Sequence, residues 1–252
     1  MNHHDLASRS RTAIVTGASR GLGLALTGRL VGAGWHVVGD ARDGDRLAAA
    51  FAAFPADGVT VVPGDLREVA HRAALVAAAA GRGGIDLLVN NASSLGASPQ
   101  PRLADLPADV LTDVLAVNTV APLDLLRRAL PYLIGSRGCV LNVSSDAAVE
   151  AYEGWGAYAA SKAALDQLSA VLAVEHPALG VYAVDPGDMA TDLHQQAFPG
   201  EDLGDLPDPE TVAPALLELV TRRLPSGRYR AADLTPSAGP TAVAFDATAL
   251  GR

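Results

Sequence analysis

Thr12-Ala13-Ile14-Val15-Thr16-Gly17-Ala18-Ser19-Arg20-Gly21-Leu22-Gly23 decides how this chain folds. A short β-branched run stops in a glycine-rich turn and feeds directly into the helical pattern Leu22–Val31. Glycines between a first strand and a first helix serve three needs of a dinucleotide site: a tight turn, close backbone approach to a pyrophosphate, and close helix–strand packing. The helix start adds free N–H groups for the anion. Gly17, Gly21 and Gly23 fit that pattern, with Arg20 placing a positive charge beside the turn.

Outward from this unit the same alternation continues. Strands are expected at Thr12–Thr16, His36–Gly39, Val59–Val62, Leu87–Asn90, Cys139–Val143, Val181–Val184 and Arg228–Leu234. Helices are expected at Leu22–Val31, Arg46–Phe54, Val69–Ala80, Ala108–Leu130, Ala157–Glu175 and Pro209–Arg222. Strands separated by helices of this length form βαβ units, and strands apolar on both faces need helices on both sides. The expected fold class is therefore α/β, a single Rossmann-type doubly wound parallel sheet of about seven strands. At 252 residues the chain is expected to make one domain, residues 1–252, with a polar arm at 1–11, a flap at 186–209 and a tail of no clear periodicity at 236–252.

Composition narrows the function classes. A hydrophobic content of 49% with 19% charged residues reads as globular. A chain of this length buries roughly 70–75% of its unfolded surface and needs no staple. Cys139 is the only cysteine, which excludes an intrachain disulfide and suits a reducing compartment. The first residues lack a signal peptide's apolar segment, and no run approaches a membrane span, so a cytoplasmic location is expected. A net charge of −9 argues against nucleic acid as partner.

The end of the second strand reads the adenine ribose in such folds: an acid there favours NAD, an arginine NADP. Gly39-Asp40-Ala41-Arg42-Asp43 offers both, and register separates them. Two basic groups, Arg20 and Arg42, tip the reading toward NADP(H), with NAD(H) as the alternative. At the other end, Tyr158 and Lys162 stand four apart on one helix face. An ordinary tyrosine titrates near ~10, and a nearby ammonium in a partly dry site is the kind of group that lowers it. Lys162 is the sole lysine among many arginines. Ser144 and Ser145 follow the Cys139–Val143 strand, at the carboxyl end where ligands bind in open α/β sheets.

Together these residues resemble the short-chain dehydrogenase/reductase family, in its compact single-domain subgroup. The resemblance spans residues 12–234 and rests on Thr16–Gly23, Asp65, Asn90-Asn91-Ala92, Asn118, Ser144-Ser145, Tyr158-x-x-x-Lys162, and Pro186-Gly187 with Thr191. The family's spacing, 13 residues before the tyrosine, selects Ser145 over Ser144, and about 40 before it lies Asn118. The resemblance implies that Tyr158 is the general acid or base and that Ser145 hydrogen-bonds the reacting oxygen. It implies that Lys162 holds the nicotinamide ribose and lowers the Tyr158 pKa, and that Asn118 supports a water relay to Lys162. Ser19, Arg20 and Leu22 are implied in the phosphate turn, and Asp65, Leu66, Asn91 and Ala92 around the adenine end. Pro186, Gly187, Met189 and Thr191 are implied as further cofactor contacts. Aligned without gaps from Gly17, the family's NAD-selecting acidic position falls on Ala41 and the next, often basic with NADP, on Arg42. A homodimer or homotetramer and a small carbonyl or alcohol substrate are also implied.

Two departures stand out: Ser93 replaces the usual glycine after Asn-Asn-Ala, and Tyr229–Leu234 lacks the family's frequent glycine-rich ending. Ser93, Trp155 and Leu193 are the expected substrate contacts. Cys139 reads as core, and His36, His71, His176 and His194 lack metal-ligand spacing, so no metal is expected. The rival readings are a cofactor-sensing regulatory protein, an NAD-linked alcohol dehydrogenase, and an epimerase or dehydratase. The four candidate catalytic residues argue against the first, and the absence of a longer substrate domain argues against the last.

Overall fold

A computed structural model describes residues 10–234 and 243–245. Eight strands form one sheet: β1 (Thr12–Val15), β2 (His36–Gly39), β3 (Val59–Val61), β4 (Leu87–Asn90), β5 (Cys139–Val143), β6 (Gly180–Asp185), β7 (Gly227–Arg230) and β8 (Val243–Ala244). Their order is β3-β2-β1-β4-β5-β6-β7-β8. All pairs are parallel except β7–β8, where Arg228 faces Val243. The chain reverses its winding between β1 and β4, which opens a crevice at their carboxyl ends, where such sheets bind ligands.

Side-chain alternation along each strand sorts the apolar residues onto two faces. Ala13, Val15, Leu87, Val89, Leu141 and Val184 pack with α1 (Gly21–Gly32) and α8 (Pro209–Arg222). Ile14, Val38, Leu88, Val140 and Val181 pack with α3 (Val69–Ala80) and α5 (Ala121–Ser136). Every residue of β1, β2, β4, β5 and β6 is buried, so the two-sided hydrophobicity read from the sequence is what two helical layers require.

Several boundaries differ from the sequence reading. The expected strand Arg228–Leu234 is β7 followed by a 3-10 turn, Ala231–Asp233. The expected helix Ala108–Leu130 is α4 (Ala108–Leu115), a π turn at Ala116–Val120, and α5. The expected Arg46–Phe54 helix is α2 (Gly44–Phe51), capped by the Asp43 carboxylate, which accepts from the Arg46 N–H. The flap carries a short helix, α7 (Asp192–Ala197), started by the Thr191 hydroxyl. Within the tail, Val243–Ala244 adds the eighth strand; the remainder of that expectation, and most of the polar arm, lies outside the described residues. The helix α6 (Gly156–Glu175) completes the set.

Candidate active site

The phosphate turn is built by backbone geometry. Gly17 sits at φ +66°, where a side chain is strained, and a Cβ on Gly23 would run into the Gly17 carbonyl and the Asn91 amide. No side chain caps the start of α1, so its first N–H groups remain for an anion. Asp40 is almost wholly buried and spends both carboxylate oxygens inside the protein. Oδ1 accepts from Gly17 N–H at 2.8 Å, and Oδ2 meets His71 Nε2 at 3.1 Å. Burial raises its pKa, opposed by His71 and the Gly17 N–H. Asp40 therefore supports the turn.

Arg42 and Asp40 both border a cavity formed with Gly17, Ala41, Asp65, Leu66 and Ala92. The Asp65 carboxylate accepts from the Arg67 guanidinium and is held below the usual range by it. Arg20 faces elsewhere: it ion-pairs with Asp192 at the start of α7, which Arg46 also reaches at 3.4 Å. The two arginines that tipped the sequence reading thus do different things. Asn91 lines the site as well, and its amide donates to Thr16 O at 2.8 Å, bracing the turn.

A larger cleft of about 350 Å³ runs from this turn to the carboxyl ends of β5 and β6. Arg20, Gly21, Leu22, Ser93, Ser145, Trp155, Tyr158 and Lys162 line it, and Pro186, Gly187, Met189, Thr191 and Leu193 close its far wall. Ser19 adjoins Arg20 in the turn. Trp155 meets Tyr158 edge-on at 5.6 Å and Phe198 at 5.8 Å, an apolar side to the cleft. All three expected substrate contacts share this cavity.

Tyr158 opens α6 and Lys162 follows one turn later, both buried. Lys162 Nζ donates to Val143 O at 2.7 Å and lies 5.4 Å from the Tyr158 ring centre. Burial brings the Lys162 pKa down to about 8, against the pull of Asp166. Burial pushes the Tyr158 phenol up to about 12; Ser93 and Ser145 favour its anion, while Asp146 and Asp185 oppose it. In the protein alone, desolvation outweighs the Ser93 and Ser145 hydroxyls. A phenol near 12 stays a proton donor at neutral pH.

Ser145 Oγ donates to Asp146 Oδ1 at 2.8 Å and accepts from Ala147 N–H at 3.2 Å. It bears on the Tyr158 hydroxyl, whereas the Ser144 hydroxyl is enclosed. Asn118 lies in the π turn, a helix defect common at functional sites. Its Oδ1 accepts from Ser94 N–H at 2.8 Å, and its Nδ2 donates to Ser94 O at 2.9 Å and to Ser161 Oγ at 3.0 Å. Its protein contacts thus reach Ser161, the neighbour of Lys162.

The sequence reading missed a strut behind these groups. Arg228 Nε donates to Asp166 Oδ2 at 2.9 Å, and its Nη2 donates to the Ser145 carbonyl at 2.8 Å. Asp166 stands four residues past Lys162, a spacing visible in the sequence, but its partner comes from β7 and only the fold brings it there. Among the described residues no group of three or more His, Cys, Asp or Glu could hold a metal, and no helix is long and apolar enough to cross a membrane.

The residues present fit a dinucleotide: an uncapped helix start, glycines that leave the turn open, and a cleft leading from there to Tyr158. Comparison with known proteins agrees. The short chain dehydrogenase family matches residues 11–202. Serine 3-dehydrogenase of Agrobacterium fabrum is 35% identical over 191 residues, 73% of this chain and 74% of that protein. A 2-(R)-hydroxypropyl-CoM dehydrogenase of Xanthobacter autotrophicus is 34% identical over 203 residues, 78% and 81% of the two chains. A solved short chain dehydrogenase from Shigella flexneri, complexed with NADP, superposes with a TM-score of 0.82 at 27% identity, covering 89% of this chain and 98% of that one. This chain belongs to the short chain dehydrogenase family and is an NAD(P)-dependent oxidoreductase.

Proposed function

We propose that this protein reduces a small ketone or aldehyde with NADP(H), Tyr158 supplying the proton. The observation that carries the reading is the meeting of Tyr158, Ser145 and Lys162 at one end of a cleft whose other end is the phosphate turn. The reduced cofactor supplies the hydride. Ser145 orients the carbonyl oxygen by hydrogen bonding, Tyr158 protonates it, and Lys162 steadies the phenolate left behind. Asn118 acts by holding Ser94 and Ser161 in place on either side of the site. Trp155, Leu193 and Ser93 bound the space beside Tyr158 and suit a mid-sized, partly apolar substrate.

Arg42 supports NADP(H): it and Asp40 both border the adenine-side cavity, but the Asp40 carboxylate is committed to Gly17 and His71. The molecule is read as a cytoplasmic homodimer or homotetramer, folded as one domain. Titration of NADPH and NADH fluorescence, with a carbonyl screen followed by NADPH absorbance, tests the reading. Wild type binds NADPH tighter and Arg42→Ala selectively loses it; Tyr158→Phe binds NADPH but does not turn over. Tighter NADH binding by wild type would overturn the cofactor choice, and an active Tyr158→Phe enzyme the mechanism.

A further inference from the structure

Ser93 occupies a position where the residue type matters more than its size. Its Oγ is enclosed yet has no hydrogen-bond partner, an arrangement that costs free energy unless another state of the site satisfies it. The backbone on both sides of it is fixed. Ala92 N–H donates to Thr16 Oγ1 at 3.1 Å, and Ser94 is held through both its N–H and its carbonyl by Asn118, at 2.8 and 2.9 Å. Ser93 therefore cannot easily turn away, and it shares the cleft wall with Ser145, Tyr158 and Lys162.

We propose that Ser93 is a further catalytic hydroxyl, donating a hydrogen bond to the Tyr158 phenolate oxygen as that anion forms. It rests on the carbonyl-reductase reading and deepens it. Ser93 keeps its own proton throughout: the Tyr158 proton goes to the carbonyl oxygen, and the Ser93 O–H turns toward the oxygen that lost it. A hydroxyl that lies near the phenol without a full hydrogen bond in the neutral site bonds more strongly to the phenolate than to the phenol, so it favours the anion. The charged and titratable groups facing Tyr158 are Lys162 one turn along α6, Asp146 after β5 and Asp185 at the end of β6, with His194 of α7 in the same cleft. Both acids oppose the phenolate, while Ser93 and Ser145 favour it. Two hydroxyls in place of one offset that acidic surround.

The test is the pH dependence of alcohol oxidation by Ser93→Ala and Ser93→Gly, with NADPH affinity read by fluorescence. Both variants are expected to move the tyrosine limb upward by about one pH unit, a tenfold change in the phenolate ratio, with cofactor affinity within about twofold of wild type. Ultraviolet difference titration of tyrosinate in the cofactor complex should show the same displacement, and none from Tyr158→Phe. A limb that stays in place in both variants overturns the proposal. So does a change confined to KM, which would make Ser93 a substrate contact only. An active Tyr158→Phe enzyme would instead remove the underlying reading, so the two failures are distinguishable.

Discussion

Lys162 carries the sharpest conflict between folding and chemistry. Its ammonium is buried and its pKa falls from 10.5 to about 8, so keeping it charged at neutral pH costs about 3 kcal/mol, with the Asp166 attraction already offsetting part of the desolvation. Between about 8 and 10.5 the unfolded chain holds the proton and the folded one does not. Stability contributed at this residue is therefore least below pH 8 and rises as pH climbs through that window. Lys162→Met should be inactive, yet more stable than wild type by about 1–2 kcal/mol at pH 7, with the advantage fading toward pH 10.5. Urea unfolding at several pH values measures this, and a variant less stable at pH 7 would refute it. The residue types of the site were legible in the sequence because Tyr158, Lys162 and Ser145 sit in short local patterns. Their protonation was not, because burial is a property of the assembled fold. Asp40 shows the same limit: a carboxylate at a ribose-reading position is drawn inward by Gly17 and His71, a residue 31 positions away.

Among the elements, the strands and most helices follow from periodicity, and two of the misplacements have local causes. The π turn at Ala116–Val120 leaves no mark on the apolar spacing, so α4 and α5 read as one helix. Likewise β8 is two residues long, too short for alternation to register. The Arg228–Asp166 pair joins β7 to α6 and reaches the Ser145 backbone, so three elements depend on one guanidinium. Both side chains are mostly buried. Removing one partner of such a pair strands the other, at a cost of about 3–5 kcal/mol. Arg228→Ala should lower stability by that order and cut kcat more than cofactor affinity, because Ser145 loses its anchor while the phosphate turn keeps all of its contacts. Arg228→Lys should restore part of the stability but less of kcat, since one ammonium does not reproduce a fork of two donors. Equal losses in kcat and NADPH binding would mean that the pair is merely structural.

At the scale of the whole molecule, the described surface leaves several apolar side chains exposed along α5 and α6. Val120 at the end of the π turn, Leu123 on α5, and Val171 and Val174 on α6 are all exposed. The π turn packs against α6, which brings Val120 toward the helix that bears Tyr158. Small and β-branched residues on helix faces allow close helix–helix approach, and a stable pairing needs about 1,200–2,000 Å² of total buried surface. Two copies meeting through α5 and α6 would cover these residues and brace the helix that positions Tyr158 and Lys162. Light scattering at micromolar concentration should then give a dimer or tetramer. Val174→Asp, far along α6 from the catalytic turn, should shift the mass toward monomer, because like charges would meet across a two-fold interface. It should also lower Tm in a concentration-dependent way, since assembly and folding are then linked by mass action. A monomeric wild type, or a Val174→Asp protein of unchanged mass and Tm, would show that this face does not join copies of the chain.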